Sequence, residues 1–560
     1  MKISQISQSA LFGVLLISEL LYGVSAYAAA TLPTLPTSLV DVSYSVPTGT
    51  SCTATNSAQF TTCLNSAALN STIVLTAGTT YTAPAGGFVL PNKTTGSGWI
   101  YIVSSNLAGI PVDGTRATAS HASAMPKITA TAGNETAIQA AIGAHHYRFV
   151  GIEFSPAAGQ FNYSIVSIGS SNTVNIDAAN EIPHHIIFDR CYVHGSSIGA
   201  RRGIQLDANH GAVINSTISG IYDDGSGTGS GPADSQAIWA FNAYGPFLIQ
   251  NNYLESGGEN VMFGGNDSPI NGLNPSDITI RGNHFFKPIA WYSTNPERQM
   301  KNLLEFKQGV RALVEGNVFE NNLAGAQNGF SILLTPRNQG GSSSWSAVQD
   351  ITIRFNRLKG SVAQGINILG RDNEAGTSQE TDRIHIHDNE IRVTGGGMFF
   401  QQVSEGQNIS VIHNTFVGDG TPGFLQSPSP KIDQFDFRSN ITLDNGNGFL
   451  GDGTSAGIST LNTHTTNYRF DYNAIVQYAG GTYPVNNFYP GNIAAVGFTN
   501  YAGGNYQLTA GSAYHNAGHD GLDLGADYTL LNAAIANTIT GAGGSSDTTA
   551  PAAPTGLGVQ

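Results

Sequence analysis

The chain has 560 residues, with 24 Lys and Arg against 38 Asp and Glu, a formal charge of −14, and only 11% of positions are charged. That excludes a nucleic-acid binder working through a diffuse basic surface, and it excludes a charge-rich disordered chain. With 68 Gly and abundant Asn, Ser and Thr, long helices are disfavoured and an all-β architecture is expected.

At the start of the chain, Met1-Lys2 precedes an apolar run from Ala10 to Val24, and Ala26-Tyr27-Ala28 places small residues at the two positions read by signal peptidase. Residues 1–28 are therefore expected to be a secretory signal peptide, with an uncleaved membrane anchor as the alternative. The mature protein is expected to be secreted, periplasmic or on the cell surface, free of the membrane and monomeric. Cys52 and Cys63 are close enough in sequence to close a disulfide loop in an oxidising compartment, which leaves Cys191, between Phe188 and Tyr192, as a buried thiol. Residues 29–70 are expected to cap the open end of the β-structure that follows.

From residue 71 a phrase of alternating apolar and polar residues recurs, ending in Asn and another apolar residue. It reads FLIQNNYL (247–254), ITIRGNHF (278–285), ALVEGNVF (312–319), ITIRFNRL (351–358), IHIHDNEI (384–391), ISVIHNTF (409–416) and FDFRSNIT (435–442). Its Asn residues, 252, 283, 317, 356, 389, 414 and 440, are 25 to 39 residues apart. Two earlier copies place Cys191 and Thr217 at the Asn position. Further rungs are read at 72–82, 146–154 and 467–476.

Period-two alternation makes each phrase a short strand with one buried face. The variable spacing places insertions in loops, which suits a coil that turns once per repeat and stacks equivalent strands in parallel sheets. Asn at each bend then stacks on Asn of the next turn, its amide hydrogen-bonding along the axis. The fold class is thus all-β, a single-stranded right-handed parallel β-helix over 71–530, in the manner of the pectate-lyase-like superfamily. Residues 506–527 resemble the closing segment of secreted β-helix carbohydrate enzymes. Residues 531–560 are expected to be a linker, of which 547–560 resemble the entry to a fibronectin type III module.

A packed interior leaves an external groove for ligands. A second strand of each turn lines up as NVMFGGND (260–267), NLLEFKQG (302–309), GFSILLTPR (329–337) and GINILGRD (365–372), ending in Asp267, Lys307, Arg337 and Arg371. At about 4.8 Å per turn these side chains are expected to share one or two sugar subsites. Residues 281–340 carry seven Lys and Arg against four Glu, a local cationic excess that suits an acidic polymer. The loop 222–236, with Asp223, Asp224 and Asp234, reads as solvated, with calcium binding as the alternative, and His145, His146, His184, His185, His194, His284, His387 and His413 read as structural.

The phrases SGGENVMFGG (256–265), NLLEFKQGVRALVEGNVFENN (302–322) and GFSILLTPR (329–337) resemble three successive turns of polysaccharide lyase family six, the alginate lyases and chondroitinase B. The resemblance covers some eighty residues. It implies Lys307 as the catalytic base, Arg337 as the proton-donating or charge-stabilising Arg, and Glu259 as the Glu of the family's Gly-Gly-Glu phrase, with Glu305 beside them. The family's calcium-binding acids are replaced here by Asn302 and Met300, and the Asn before Gly-Gly-Glu by Ser256. Two options stay open: Glu259, Asn302 and Glu305 hold a cation such as Ca2+, or Lys301, Arg311 or Arg337 neutralise the substrate carboxylate without metal.

Such a lyase cleaves a uronic-acid polysaccharide by β-elimination, in which a cation stabilises the enolate-like transition state. Lys307 serves as base if Lys301, Arg311 and Arg337 lower its pKa by repulsion. Lys301, Arg311, Asp267, Trp291, Arg371 and Gln327 are the expected substrate contacts, with Trp239, Tyr292 and Trp345 as further stacking candidates. Two other functions are weighed beside this one: a glycoside hydrolase using two carboxylates from Asp234, Glu259, Asp267 and Glu305, and a non-catalytic carbohydrate-binding or surface protein.

Overall fold

The structure is a computed structural model and describes residues 28–542 apart from 132, 134, 172 and 373. Residues 1–27 of the expected signal peptide, and the expected entry to a fibronectin module at 547–560, lie outside the described residues. Within them the chain coils as a right-handed parallel β-helix whose walls are parallel sheets of 14, 13 and 12 strands. Each full turn contributes one strand to each sheet. In the first sheet Phe247–Gln250 pairs with Ser276–Arg281, which pairs with Gly309–Glu315, then Val348–Arg354 and Asp382–His387.

The alternation in the repeat does what the period demands. Ile351 and Ile353 point into the coil at 0% exposure, while Thr352 lies on the outer face. Interior side chains stack on their equivalents one turn away, as Phe149 does on Phe188 with ring centroids 5.0 Å apart. At the bend after the first sheet the asparagines form a continuous ladder. The backbone N–H and Nδ2 of Asn283 both donate to Oδ1 of Asn317, at 2.9 and 3.0 Å, and Asn317 repeats the pattern onto Asn356. The ladder runs on through Asn440 to Asn473 and Asn487. Ser216, not Thr217, occupies the ladder position before Asn252: its N–H donates to Asn252 Oδ1 at 2.9 Å, and Thr217 is the first strand residue after it.

Both ends are closed. Helix α1 (Ser57–Ser66) starts at Asn56, whose side chain accepts from Gln59 N–H, and lays Phe60, Cys63 and Leu64 over the first turn. The Cys52–Cys63 disulfide ties the helix to the strand beside it. Helix α2 (Ile458–His464) buries Leu461 against the last turns.

Two expected boundaries are corrected. The cap is not the whole of 29–70: residues 30–45 form an extended strap along the outer face of the first sheet. Ala30 N–H donates to Asp436, Thr31 to Asn408, Thr34 to Asp350 and Thr37 to Asp277, and Arg148 donates to the carbonyls of Val42 and Ser43. The strap therefore runs from the last turns back to the first. At the other end the three-sheet coil stops at Ala474–Val476, short of residue 530. The chain then returns along the second sheet, burying Val496, Tyr506, Leu524 and Leu531 against Val417, Ile441 and Val476. Residues 531–541 belong to this returning tail. Helix α3 (Tyr528–Ile535) packs on the coil, and Arg116 donates to the carbonyls of Thr538 and Ile539. The strap covers one sheet and the tail another, so the third sheet is the face that neither crosses.

Candidate active site

The third sheet presents an outward row set by its register: Gln139, Ser167, Gln205, Trp239, Met262, Glu305, Leu333, Asn367 and Gln401 on successive turns. Ionisable groups concentrate at its middle, where the strands Gln236–Ala240, Glu259–Phe263 and Leu304–Phe306 follow one another. Gly257 and Gly258 allow this approach. A Cβ on Gly257 would lie 2.5 Å from the Arg298 carbonyl oxygen, and one on Gly258 would lie 2.3 Å from that of Ser235.

Three carboxylates and their partners meet there. Glu259 is fully buried; Gln236 Nε2 donates to its Oε2 at 2.8 Å, and its Oε1 has no partner. Burial, then the charges of Glu305 and Asp234, push its carboxyl up to about 7. Glu305, 2% exposed, accepts from Thr335 Oγ1 at 2.8 Å and from Asn302 Nδ2 at 3.1 Å. Asp234 pairs with Lys301, so part of the loop read as solvated is a wall of the site. Burial alone would lower the Lys301 pKa; Glu259 and Asp234 offset it and hold the ammonium above its usual value. Beneath them Lys287 is fully buried and donates to the carbonyls of Ser256, Gly257 and Gly258, with burial pulling it down to about 7.

Lys307 follows the Glu305 strand and its charge acts on Glu259. Its ammonium has no hydrogen-bond or ion-pair partner among the described residues. Arg337 sits one turn on, its N–H donating to the Lys307 carbonyl at 3.0 Å. Its guanidinium, however, is committed to Asp372 at 2.8 Å and Glu374 at 3.0 Å. The expected pairing of Lys307 and Arg337 in one cleft is therefore corrected: Lys307 acts on an acid of the preceding turn, and Arg337 is held by acids after its own.

The other expected contacts divide in the same way. Arg311 is on the first sheet in a bidentate pair with Asp277, away from this face. Arg371 is held by Glu380 and Glu405, and Asp267 accepts from Gly340 and Ser342. Gln327 lies on the loop that folds over Met300. Trp291 packs edge-on against Tyr222, and Arg298 stacks over both rings at 4.7 and 3.9 Å. Tyr292 donates to Asn322, Trp345 to the Leu273 carbonyl and Trp239 to that of Gly264. The linear cationic excess of 281–340 is thus no patch, because one turn of the coil faces three directions.

For the cation set Glu259, Asn302 and Glu305, calcium takes six to eight oxygens. Here both Glu305 oxygens are bonded and Asn302 turns its nitrogen towards them, so Glu259 Oε1 is the one buried carboxylate oxygen of the set without a partner. The set does not fit calcium, and no step below passes through a metal. Sequence reasoning missed Thr335, the buried role of Lys287, and Arg202. Arg202 stacks at 4.0 Å on Trp239 and lines a polar cavity with Tyr163, Ser167, Gln205 and Phe241 three turns before Lys307. The one available signal was the Arg201-Arg202 pair ahead of a strand.

No family model matches this chain, and neither does any curated protein. Among solved structures it is similar to an alginate lyase from Paenibacillus sp. str. FPU-7, with 13% identity, 74% of this chain and 99% of that one covered, and a TM-score of 0.36. It is similar to the PL6 family alginate lyase AlyGC, with 12% identity, 78% of this chain and 53% of that one covered, and a TM-score of 0.41. A third likeness is to pectate lyase Pel9A, with 14% identity, 83% and 90% covered, and a TM-score of 0.32. This chain thus spans about half the length of AlyGC. At identities and scores this low, no residue role passes from these proteins to this chain.

Proposed function

We propose that the protein binds an acidic polysaccharide along the outer face of its third sheet and cleaves it by β-elimination at Lys307. The observation that carries this reading is the uncommitted Lys307 ammonium. Of the cations expected to meet substrate, Lys301, Arg311, Arg337 and Arg371 each already hold a carboxylate, and Lys307 holds none among the described residues. In this acidic setting Lys307 acts as the cation rather than the base. Its ammonium pairs with the uronate carboxylate and stabilises the charge that develops as the C5 proton leaves. The proton passes to Asp234, the cluster's most exposed carboxylate with 37% of its side chain accessible, through the carboxylate oxygen that Lys301 does not hold. The C5–H electron pair becomes the C4–C5 double bond, and the departing glycosidic oxygen takes a proton from water. The Cys52–Cys63 disulfide supports an oxidising compartment as the site of action, and no described helix is long and apolar enough to cross a membrane.

The test is a panel of alginate, pectate and glycosaminoglycans followed by ultraviolet absorbance of the new double bond. Lys307→Ala is expected to lose activity at least 100-fold with the fold intact. Lys307→Arg retains a measurable part of it, because Arg supplies charge but not a base. An inactive Lys307→Arg beside normal substrate binding returns Lys307 to the role of base, and a fully active Lys307→Ala removes it from the mechanism. A second reading, hydrolysis, is favoured by one observation: Glu259, on the turn before Glu305, has its carboxyl pushed up to about 7 by burial and then by the Glu305 charge, which suits a general acid. Reducing ends without new absorbance would identify it.

A further inference from the structure

The first sheet opens with a column of histidines that the site described above does not use. His145-His146, His184-His185 and Asn209-His210 begin three consecutive strands, with His184 in register between His145 and Asn209. His146, His185 and His210 all take positive φ, at 59, 56 and 53°, so both rings of each His pair project from the outer surface. Like rings stack turn on turn: His145 on His184 at 4.7 Å, His146 on His185 at 4.4 Å and His185 on His210 at 4.2 Å. Further along the sheet the same left-handed position carries Asp277, Asp350 and Asn408, which take hydrogen bonds from the strap. The histidines take none from it: among the described residues their hydrogen bonds run within the pairs 145–146 and 184–185.

We propose that His145, His146 and His184 form a binding site for a divalent first-row transition metal of the Zn2+, Ni2+ or Cu2+ class. Nδ1 of His145 and Nδ1 of His146 are 2.8 Å apart. Two nitrogens each about 2.0–2.1 Å from one ion would lie about 2.9 Å apart at the right angle of tetragonal Cu2+ or Ni2+, and about 3.3 Å apart at the tetrahedral angle of Zn2+. Without metal, one of these two atoms must carry a proton and donate it to the other; an ion replaces that proton and uses both lone pairs. A nitrogen of His184 lies within 4.8 Å of both, and its ring, which stacks parallel on that of His145, joins the set by turning its edge towards the ion. The rings are half-buried, so the ion has a path from solvent. An all-imidazole set selects transition metals over calcium and magnesium. The bound ion bridges two turns of the coil.

The second histidine cluster, His413 with His519 and Asp520, serves as control. Both His413 nitrogens are already bonded, to Asp520 and to the Asp523 carbonyl. Untagged, EDTA-treated protein is titrated with zinc chloride in a calorimeter. One Zn2+ per chain is expected, with binding weakened at least tenfold in His145→Ala and in His184→Ala and unchanged in His519→Ala. Absence of binding overturns the proposal, as does binding indifferent to His145 and His184. Should either variant fail to fold, Cu2+ bound to the His519→Ala protein gives an independent readout. Its electron paramagnetic resonance spectrum shows coupling to at least two nitrogens if the site is as proposed, and an oxygen-only spectrum overturns it.

Discussion

At the scale of single residues, the ladder asparagines and Glu259 are buried polar groups handled in opposite ways. Each Asn amide is satisfied on both sides, so Asn317→Leu leaves the Asn283 N–H without its acceptor, costs Asn283 Nδ2 one of its two acceptors, and takes the Nδ2 donor from the Ile280 carbonyl and from Asn356 Oδ1, which keeps only the N–H of residue 317. The expected loss is about 3 kcal/mol, read as a lower midpoint in thermal or denaturant unfolding; an unchanged midpoint would count against the ladder. Glu259 is instead a buried acid whose folded pKa, about 7, exceeds its ordinary 4.5. The folded state therefore holds the proton more tightly, and stability falls as pH rises from about 4.5 to 7, the penalty being complete above that window. Glu259→Gln should raise the melting temperature at pH 8 and leave it nearly unchanged at pH 4.5. The ladder was legible because one residue type recurs at one phase of a strict period, and even the Thr217 reading missed by a single residue. The site was only half legible. Alternation places Lys307, Arg337 and Arg371 at strand ends, but the acids that claim Arg337 and Arg371 lie on loops with no period.

At the scale of elements, the returning tail is docked by charge as well as by apolar contact. His413, on the coil, is bonded through Nε2 to Asp520 of the tail at 3.1 Å. Burial alone would lower the His413 pKa, but Asp520 and Asp388 raise it overall, while His413 lowers that of Asp520. The His413 contribution is complete below the unfolded value of about 6.5 and disappears as pH rises through its raised folded value. The Asp520 contribution is complete above about 4 and disappears on acidification. Docking is therefore tightest between about pH 4 and 6.5. Amide hydrogen exchange over 506–541, corrected for intrinsic rates, should be faster at pH 8.5 than at pH 5.5, and His413→Gln should flatten the difference. A pH-independent tail would remove the ion pair from the account. Neither tail nor strap was legible as what it is. Both bury side chains against the outside of a sheet at irregular intervals, and such segments read as cap or linker.

At the scale of the whole molecule, a stack of turns that touch only their neighbours would unfold piecewise from its ends. The strap opposes this by joining turns remote in sequence: Ala30 meets Asp436 across 406 residues, and Ser45 N–H donates to the Tyr101 hydroxyl near the first turns. Hydrogen bonds to charged acceptors contribute about 1.5–3 kcal/mol each, and Asp277, Asp350 and Asp436 all accept from strap N–H groups. The Asp277 pKa is raised by burial but lowered overall by bonds from Arg311 and Thr37, so its share of the attachment is lost only in acid. The intact protein is expected to melt in one sharp calorimetric transition at neutral pH. Replacing Asp277 and Asp350 together by Ala should broaden that transition or split it into two, with exchange rising first at the terminal turns and the middle turns still protected. If the double variant melts as sharply as the parent, the end-to-end coupling resides in the stacked interior and the strap is only a cover.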